Sequence, residues 1–557
     1  MTFRTRRPLL VVALVLAAGC GGSWASGARK LRHDRAAAAA SYATSVGAPP
    51  SAPPAPRDDG RLPNTATPRR YALSLEIDPS RTRFSGSVEI EVDLPQPTWN
   101  VVLHGRDVRV SRAIARVGQT DVAATVTSRL AHGSVVPEEL VLRFAAPLPT
   151  GPAVLALTYD APFAPDLAGL YRVEQEGRPY AYSQFEVTDA RRAFPCFDEP
   201  GFKTPYDVTI AAPRGQMVLS NTPESAREDG PGDMVSHHFR ASPPLPTYLV
   251  AFAVGDFDVA EGQKEPFPIR VITTKGGGGV GNTALALEAA AALVARLADY
   301  FGTPYPYEKL DLVAVPDFAA GAMENPGLVT FRDVLLLLDA RHATTASRRA
   351  QAEVIAHELA HQWFGDLVTL EWWDDLWLNE GFATWAESKI VDAWRPRFGA
   401  TFGQIAGIQR VMDVDALQSA RAVREPVRST SEAEEAFDGI TYEKGAAILR
   451  MLESWLGQDT FRRGVQRYVH EHAWKNARAE DLFQALDYVS TQSVGRMASG
   501  FLDRPGVPDV AVSWTCGGAG GGKLELRESE WRALGDSRSG GAAGASIEAP
   551  GLWTLPV

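Results

Sequence analysis

His357-Glu358-Leu359-Ala360-His361 is the stretch on which the reading of this chain turns. Two histidines four apart lie on one face of a helix, so both imidazoles can reach one metal ion. The glutamate between them stands beside whatever water that metal holds. Zinc hydrolases use three protein ligands and keep a further position open. Glu380 follows His361 by nineteen residues and opens a second helical run, Asn379–Glu387. A bend at Glu371–Asp375 would fold that run back and bring Glu380 to the histidines. Around the motif, Ala352, Val354, Ile355, Ala356, Leu359 and Trp363 predict a buried helix, which Gly365-Asp366 closes. A structural histidine pair is the bland alternative. Ionisable groups inside an apolar helix are costly unless something pairs them, and a metal is the simplest partner.

Outward from the motif, composition narrows the class. The chain has 557 residues, 45% hydrophobic and 22% charged, which is globular and long enough for roughly three or four domains. Its net charge of -11, with no basic stripe, argues against nucleic acid as a partner. Three cysteines cannot build a disulfide framework. Cys196, in Phe194-Pro195-Cys196-Phe197-Asp198, reads as a small buried residue. Its pairing with Cys516 stays open at this level.

Residues 1–27 read as a targeting segment. Arg4, Arg6 and Arg7 precede an apolar run, Leu9–Ala18, too short to span a bilayer. Leu16-Ala17-Ala18-Gly19-Cys20 resembles a bacterial lipoprotein signal, with Cys20 as the lipidated terminus; ordinary signal cleavage near Ala25 is the alternative. Both predict export from a bacterial cytoplasm. The destination would be the cell envelope as a lipoprotein held to a membrane through Cys20, or otherwise the periplasm or medium. Residues 28–67, rich in Ala and Pro, read as a low-complexity tether.

From Tyr71 the pattern has period two, as in Tyr71–Ile77 and Phe84–Val92, and predicts an all-β domain over 68–262. Inside it, alternation puts Gln184 and Glu186 on one face, while Asp189, Arg191 and Arg192 read as a salt-bridged loop. Gly276 and Gly281 have the spacing of a phosphate loop, but Asn282 stands where lysine is needed, so this is a turn before a helix of about 283–300. The strand from Asp311 leads into Gly321-Ala322-Met323-Glu324-Asn325. Small residues there would let a substrate backbone approach one carboxylate closely; a tight turn with a solvated glutamate is the alternative. Residues 263–502 are otherwise mainly helical. Tyr442 precedes a Gly-Ala helix start and is either core or a hydroxyl presented to the cleft. Residues 503–557 return to short strands.

Five of these motifs stand in the order of the M1 family of zinc aminopeptidases, the gluzincins, and between Tyr71 and Pro508 the chain resembles that family. They are Gln184-Phe185-Glu186, Gly321–Asn325, His357-Glu358-x-x-His361, Glu380 within Trp377–Ala383, and Tyr442. The resemblance implies a multidomain α+β fold: an N-terminal β domain, a thermolysin-like, mainly helical zinc domain and a short C-terminal β segment. It implies one zinc per chain on His357, His361 and Glu380, with Glu358 as general base and proton shuttle. Tyr442 would hydrogen-bond the oxyanion. Glu324 and Glu186 would hold the α-ammonium of a peptide with a free N-terminus, and Gln184 and Met323 would line the first side-chain pocket. Gly321, Ala322 and Asn325 complete the substrate loop. The reaction implied is attack of an activated water on the first peptide bond. A zinc endopeptidase would not need Glu186 and Glu324, and a silent scaffold would need no metal. The family usually carries a complete small β domain, a large helical domain, or both after its catalytic domain; here the β segment is short.

Overall fold

The computed structural model describes residues 52–276, 279–517, 521–531 and 553–555. The targeting segment falls outside them. Period-two alternation becomes a ten-stranded sheet. Its order, edge to edge, is Glu224–Asp229, Met234–Phe239, Tyr206–Pro213, Thr67–Glu76, Arg83–Leu94, Gly151–Pro162, Arg109–Val117, Thr120–Leu130, Pro137–Leu148 and Thr98–His104. Tyr71, Leu73 and Leu75 point into the core from one strand while Ala72 and Ser74 point out. Tyr71 pairs with Tyr206 across the parallel ladder, and the two rings stack at 4.8 Å.

A four-stranded sheet, Met217–Ser220, Phe252–Gly255, Arg178–Gln184 and Gly169–Gln175, ends one strand at Gln184. A five-stranded sheet orders Phe257–Glu261, Ile269–Thr274, Leu310–Val315, Leu328–Arg332 and Ala322–Met323. It runs across residue 262, because ladder pairing rather than composition decides where a sheet ends. The near-continuous apolar run Leu310–Val315 is buried at every position, as expected between parallel neighbours. The short strand Ala322–Met323 pairs antiparallel with Thr330 and Phe331, so the loop that carries Glu324 leaves from a sheet edge.

Among the described residues eight longer helices follow: α1 Ala284–Phe301, α2 Thr345–His361, α3 Trp377–Trp394, α4 Ala400–Asp415, α5 Gly445–Leu456, α6 Gln458–His472, α7 Ala479–Ser490 and α8 Val494–Leu502. Thr344 caps α2, its hydroxyl accepting from the Ser347 N–H at 3.1 Å. Beyond α2, Gly365 has φ 125°, and a Cβ there would press on His361 Nδ1 and Asn379 Nδ2 at 3.3 Å. Glycine therefore keeps the turn clear of the site. Helix α3 packs on α2 and on α5. It meets α5 at Gly381 and Gly445, where an added Cβ on Gly381 would lie 3.1 Å from the Gly445 backbone. That close crossing brings the turn before α5, with Tyr442, against the metal-type helix.

The chain then forms a hairpin, Val507–Cys516 with Gly522–Trp531. The Trp553 N–H donates to Glu528 Oε1 at 2.7 Å, and the Arg504 guanidinium lies 3.7 Å from the Trp553 ring centroid. Cys196 is buried, Cys516 is exposed, and the two are not bonded.

Candidate active site

Helix periodicity fixes the first pair. His357 and His361 sit one turn apart on α2 with ring centroids 4.8 Å apart. From α3, Glu380 Oε2 lies 3.2 Å from His357 Nε2 and 3.5 Å from His361 Nε2. The ligating atoms of the three residues all lie within 4.8 Å of one another. The other ring nitrogens are occupied: His357 Nδ1 meets Glu387 Oε2 at 3.0 Å, and His361 Nδ1 meets the Phe364 carbonyl at 3.0 Å. Those acceptors call for N–H at both Nδ1 atoms, which turns both Nε2 lone pairs toward Glu380. Three acceptors facing one point repel unless a cation lies between them. Two imidazole nitrogens and one carboxylate oxygen are a donor set that zinc takes, so the residues fit the ion that the motif implies.

The field of the site supports that fit. Burial works against charge on His361, yet Glu324 and Glu380 hold it up at about 9. Burial is likewise outweighed at His357, which Glu380 and Glu387 raise well above its ordinary value. At Glu380 burial is outweighed by His361 and His357, and its pKa is held below the usual carboxylate range. Burial pushes Glu358 up to about 8 against the pull of the two histidines. Carboxylates thus outnumber the cationic groups around α2, and positive charge is what the site is built to accept.

Glu186, Glu324 and Glu380 form a second group, their oxygens again within 4.8 Å of one another. Oε1 of Glu186, Oε1 of Glu324 and Oε1 of Gln184 are buried with no hydrogen-bond partner among the described residues. Buried acceptors of this kind call for a donor. Burial first and Glu324 second push Glu186 well above the usual range. Gln184 Nε2 reaches Met323 Sδ at 3.3 Å, joining the end of one strand to the Gly321–Asn325 loop. Gly321 O accepts from Arg332 N at 2.9 Å, Ala322 lies in the edge strand, and buried Asn325 closes the loop by accepting from Leu328 N at 3.0 Å. Glu186 does not continue the strand of Gln184, which ends at that residue. The turn, rather than alternation, delivers its carboxylate.

Tyr442 lies in a single wide turn, Ile440–Lys444, that runs into α5. Its ring stands 6.0 Å from that of His357 at 15°. Burial, then Glu380 and the other carboxylates, push its hydroxyl well above the ordinary value, so it remains a donor at any working pH. These contacts bring His357, His361, Glu380, Glu186 and Glu324 together, set Tyr442 beside His357 and join Gln184 to Met323. Glu387 was not among the residues singled out in the sequence, although it follows Glu380 by two helical turns and so shares its face. Replacing Glu387 by alanine frees His357 Nδ1 and is expected to weaken zinc binding by about 10- to 100-fold, read by competition against a chelator.

Comparison with known proteins found two family models and several relatives. The Peptidase family M1 domain model matches residues 285–501, and the Peptidase M1 N-terminal domain model matches residues 67–249. The chain is 38% identical to Aminopeptidase M1-C of Oryza sativa over 506 residues, 90% of this chain and 55% of that protein. It is 36% identical over 456 residues to Endoplasmic reticulum aminopeptidase 1 of Rattus norvegicus, 81% of this chain and 49% of that protein. It is 35% identical over 482 residues to Aminopeptidase 2 of Candida albicans, 85% of this chain and 50% of that protein. The chain spans about half the length of the curated relatives it matches.

These relatives overturn the expected localisation. They are plant, mammalian and yeast aminopeptidases, one named for the endoplasmic reticulum, and not bacterial lipoproteins. The expectation of an exported bacterial lipoprotein is corrected accordingly. It rested on residues 1–27, where a short apolar run beside arginines and Cys20 is a signal of composition alone and lies outside the described residues. Among the described residues no helix is long and apolar enough to cross a membrane.

Proposed function

The chain belongs to peptidase family M1, and from that premise we propose that it is a zinc-dependent aminopeptidase releasing N-terminal residues from peptides. One observation carries the reading. The metal-type set and the set of Glu186 and Glu324 share Glu380, so a cation-binding pocket adjoins the metal position. A substrate ammonium in that pocket holds the first peptide bond, and no other, over the reactive centre.

We assign one zinc to His357, His361 and Glu380. When bound, it polarises the scissile carbonyl and lowers the pKa of water toward neutrality. Glu358 takes the proton from the attacking water and delivers it to the leaving amine. Its elevated pKa suits both halves of that task. Tyr442 donates to the carbonyl oxygen as charge develops on it, which favours the transition state over the ground state. Glu186 and Glu324 accept from the ammonium, Gln184 and Met323 line the first side-chain pocket, and Gly321, Ala322 and Asn325 border the substrate backbone. The β domain of 68–262, the catalytic domain of 263–502 and the segment from 503 are the domains we assign to this work. An endopeptidase would have no use for the unpartnered oxygens of Glu186 and Glu324, which favours the exopeptidase.

The test is hydrolysis of aminoacyl-arylamides by the purified protein, with and without a zinc chelator and with the substrate amine free or acetylated. Release that needs zinc and a free amine is expected. Equal cleavage of acetylated substrates would replace the reading by an endopeptidase, and no release together with no bound zinc would replace it by a scaffold.

A further inference from the structure

Gln362 follows the second histidine directly and is fully buried. Its side chain donates from Nε2 to two main-chain carbonyls: Glu324 O at 2.7 Å and Glu358 O at 3.2 Å. One belongs to the residue that faces the substrate amine, the other to the residue that moves the proton. A primary amide has two N–H groups, and both are used here. Because both partners are carbonyls, the nitrogen must face them, which fixes the amide orientation. Oε1 is left buried with no hydrogen-bond partner among the described residues. A buried acceptor without a partner is a cost that a merely structural side chain would avoid.

The surrounding backbone makes room for this contact. At the end of α2 the Gln362 N–H bonds to Leu359 O at 3.3 Å, so it does not engage the Glu358 carbonyl one residue further back. On the opposite side, ladder pairing of the Glu324 loop stops at Met323. Glu324 is thus the first residue past the sheet edge, and its carbonyl is fastened to α2 by the Gln362 amide.

We propose that Gln362 is a positioning residue that sets the distance between the amine anchor and the metal-bearing helix, and so the preference for a free N-terminus. This rests on the aminopeptidase reading above. Gln362 touches no reacting atom; it acts through the main chain of Glu324. Zinc ligation does not pass through it, so its loss should move amine recognition and leave zinc in place. Glutamate at this position has the length but lacks the N–H groups. Methionine keeps length and volume without them and tests the amide with least disturbance to packing.

The experiment is calorimetric binding of L-leucinol and N-acetyl-L-leucinol to the zinc-loaded full chain, with zinc per chain measured in parallel. Leucinol has no amide bond, and the one amide of its N-acetyl derivative lies on the amine itself rather than after a free-amine residue, so neither is an aminopeptidase substrate. The wild type should favour the free amine. In Gln362→Met and Gln362→Glu that preference should fall by about tenfold, the worth of one well-placed hydrogen bond, with zinc unchanged. A preference within twofold of wild type in the methionine variant would overturn the proposal, as would a preference lost only in step with zinc. A fall in melting temperature with the preference intact would also count against it. A wild type that favours leucinol yet releases no arylamine would sink the aminopeptidase reading and leave the role of Gln362 standing. A wild type without any preference would remove both.

Discussion

Replacing Glu358 by glutamine is expected to leave zinc bound at the wild-type level and to cut turnover by about 10³- to 10⁴-fold, the upper range for a positioned acid–base group. Glu358 lies between the two histidines on α2, but in the described contacts Glu380, not Glu358, is the carboxylate on both Nε2 atoms. Glutamine keeps the volume and the helix and removes only the capacity to take a proton. Burial already pushes the Glu358 carboxyl up to about 8, so a neutral side chain is tolerated there and the variant should fold. The check is kcat on an aminoacyl-arylamide beside zinc content. Near-normal kcat would end the role of Glu358 as base. Lost zinc would move it into the ligand set.

Glu380→Gln should act on the other quantity first. Glu380 is the one carboxylate in both the metal-type group and the amine-type group. Its charge is held on by the histidines beside it, so neutralising it removes the anion on which both Nε2 lone pairs converge. Zinc should fall well below one per chain, and activity should drop by about a thousandfold or more, since the Lewis acid alone supplies several kcal/mol of transition-state stabilisation. Added zinc should restore part of the loss if the weakened site still fills at high concentration. Full zinc with activity within tenfold of wild type would show that the third ligand lies elsewhere.

Much of this site was legible before any fold was known, because it is built on covalent periodicity. A spacing of four residues puts His357 and His361 on one face whatever surrounds them. Period two does the same for Tyr71, Leu73 and Leu75, and the five motifs in order named the family. What could not be read were relations between segments. Alternation predicts Gln184 and Glu186 on one strand face, but the strand stops at Gln184 and a turn brings the carboxylate in. Glu387 lay within a run already marked as helical, yet its partner, His357 Nδ1, is thirty residues away and was fixed by the packing of α3 on α2.

The sequence by itself thus determined the candidate metal-holding set of His357, His361 and Glu380, the glutamate between the histidines and the succession of β and helical regions, since these follow from residue type and local repeat. Only the tertiary structure decided how the pieces meet. The Gly381–Gly445 crossing brings Tyr442 to His357, the sheet edge at Met323 releases Glu324 toward α2, and Gln362 fastens the two. Those distances are set by close packing of surfaces far apart in the chain, and no local repeat encodes them.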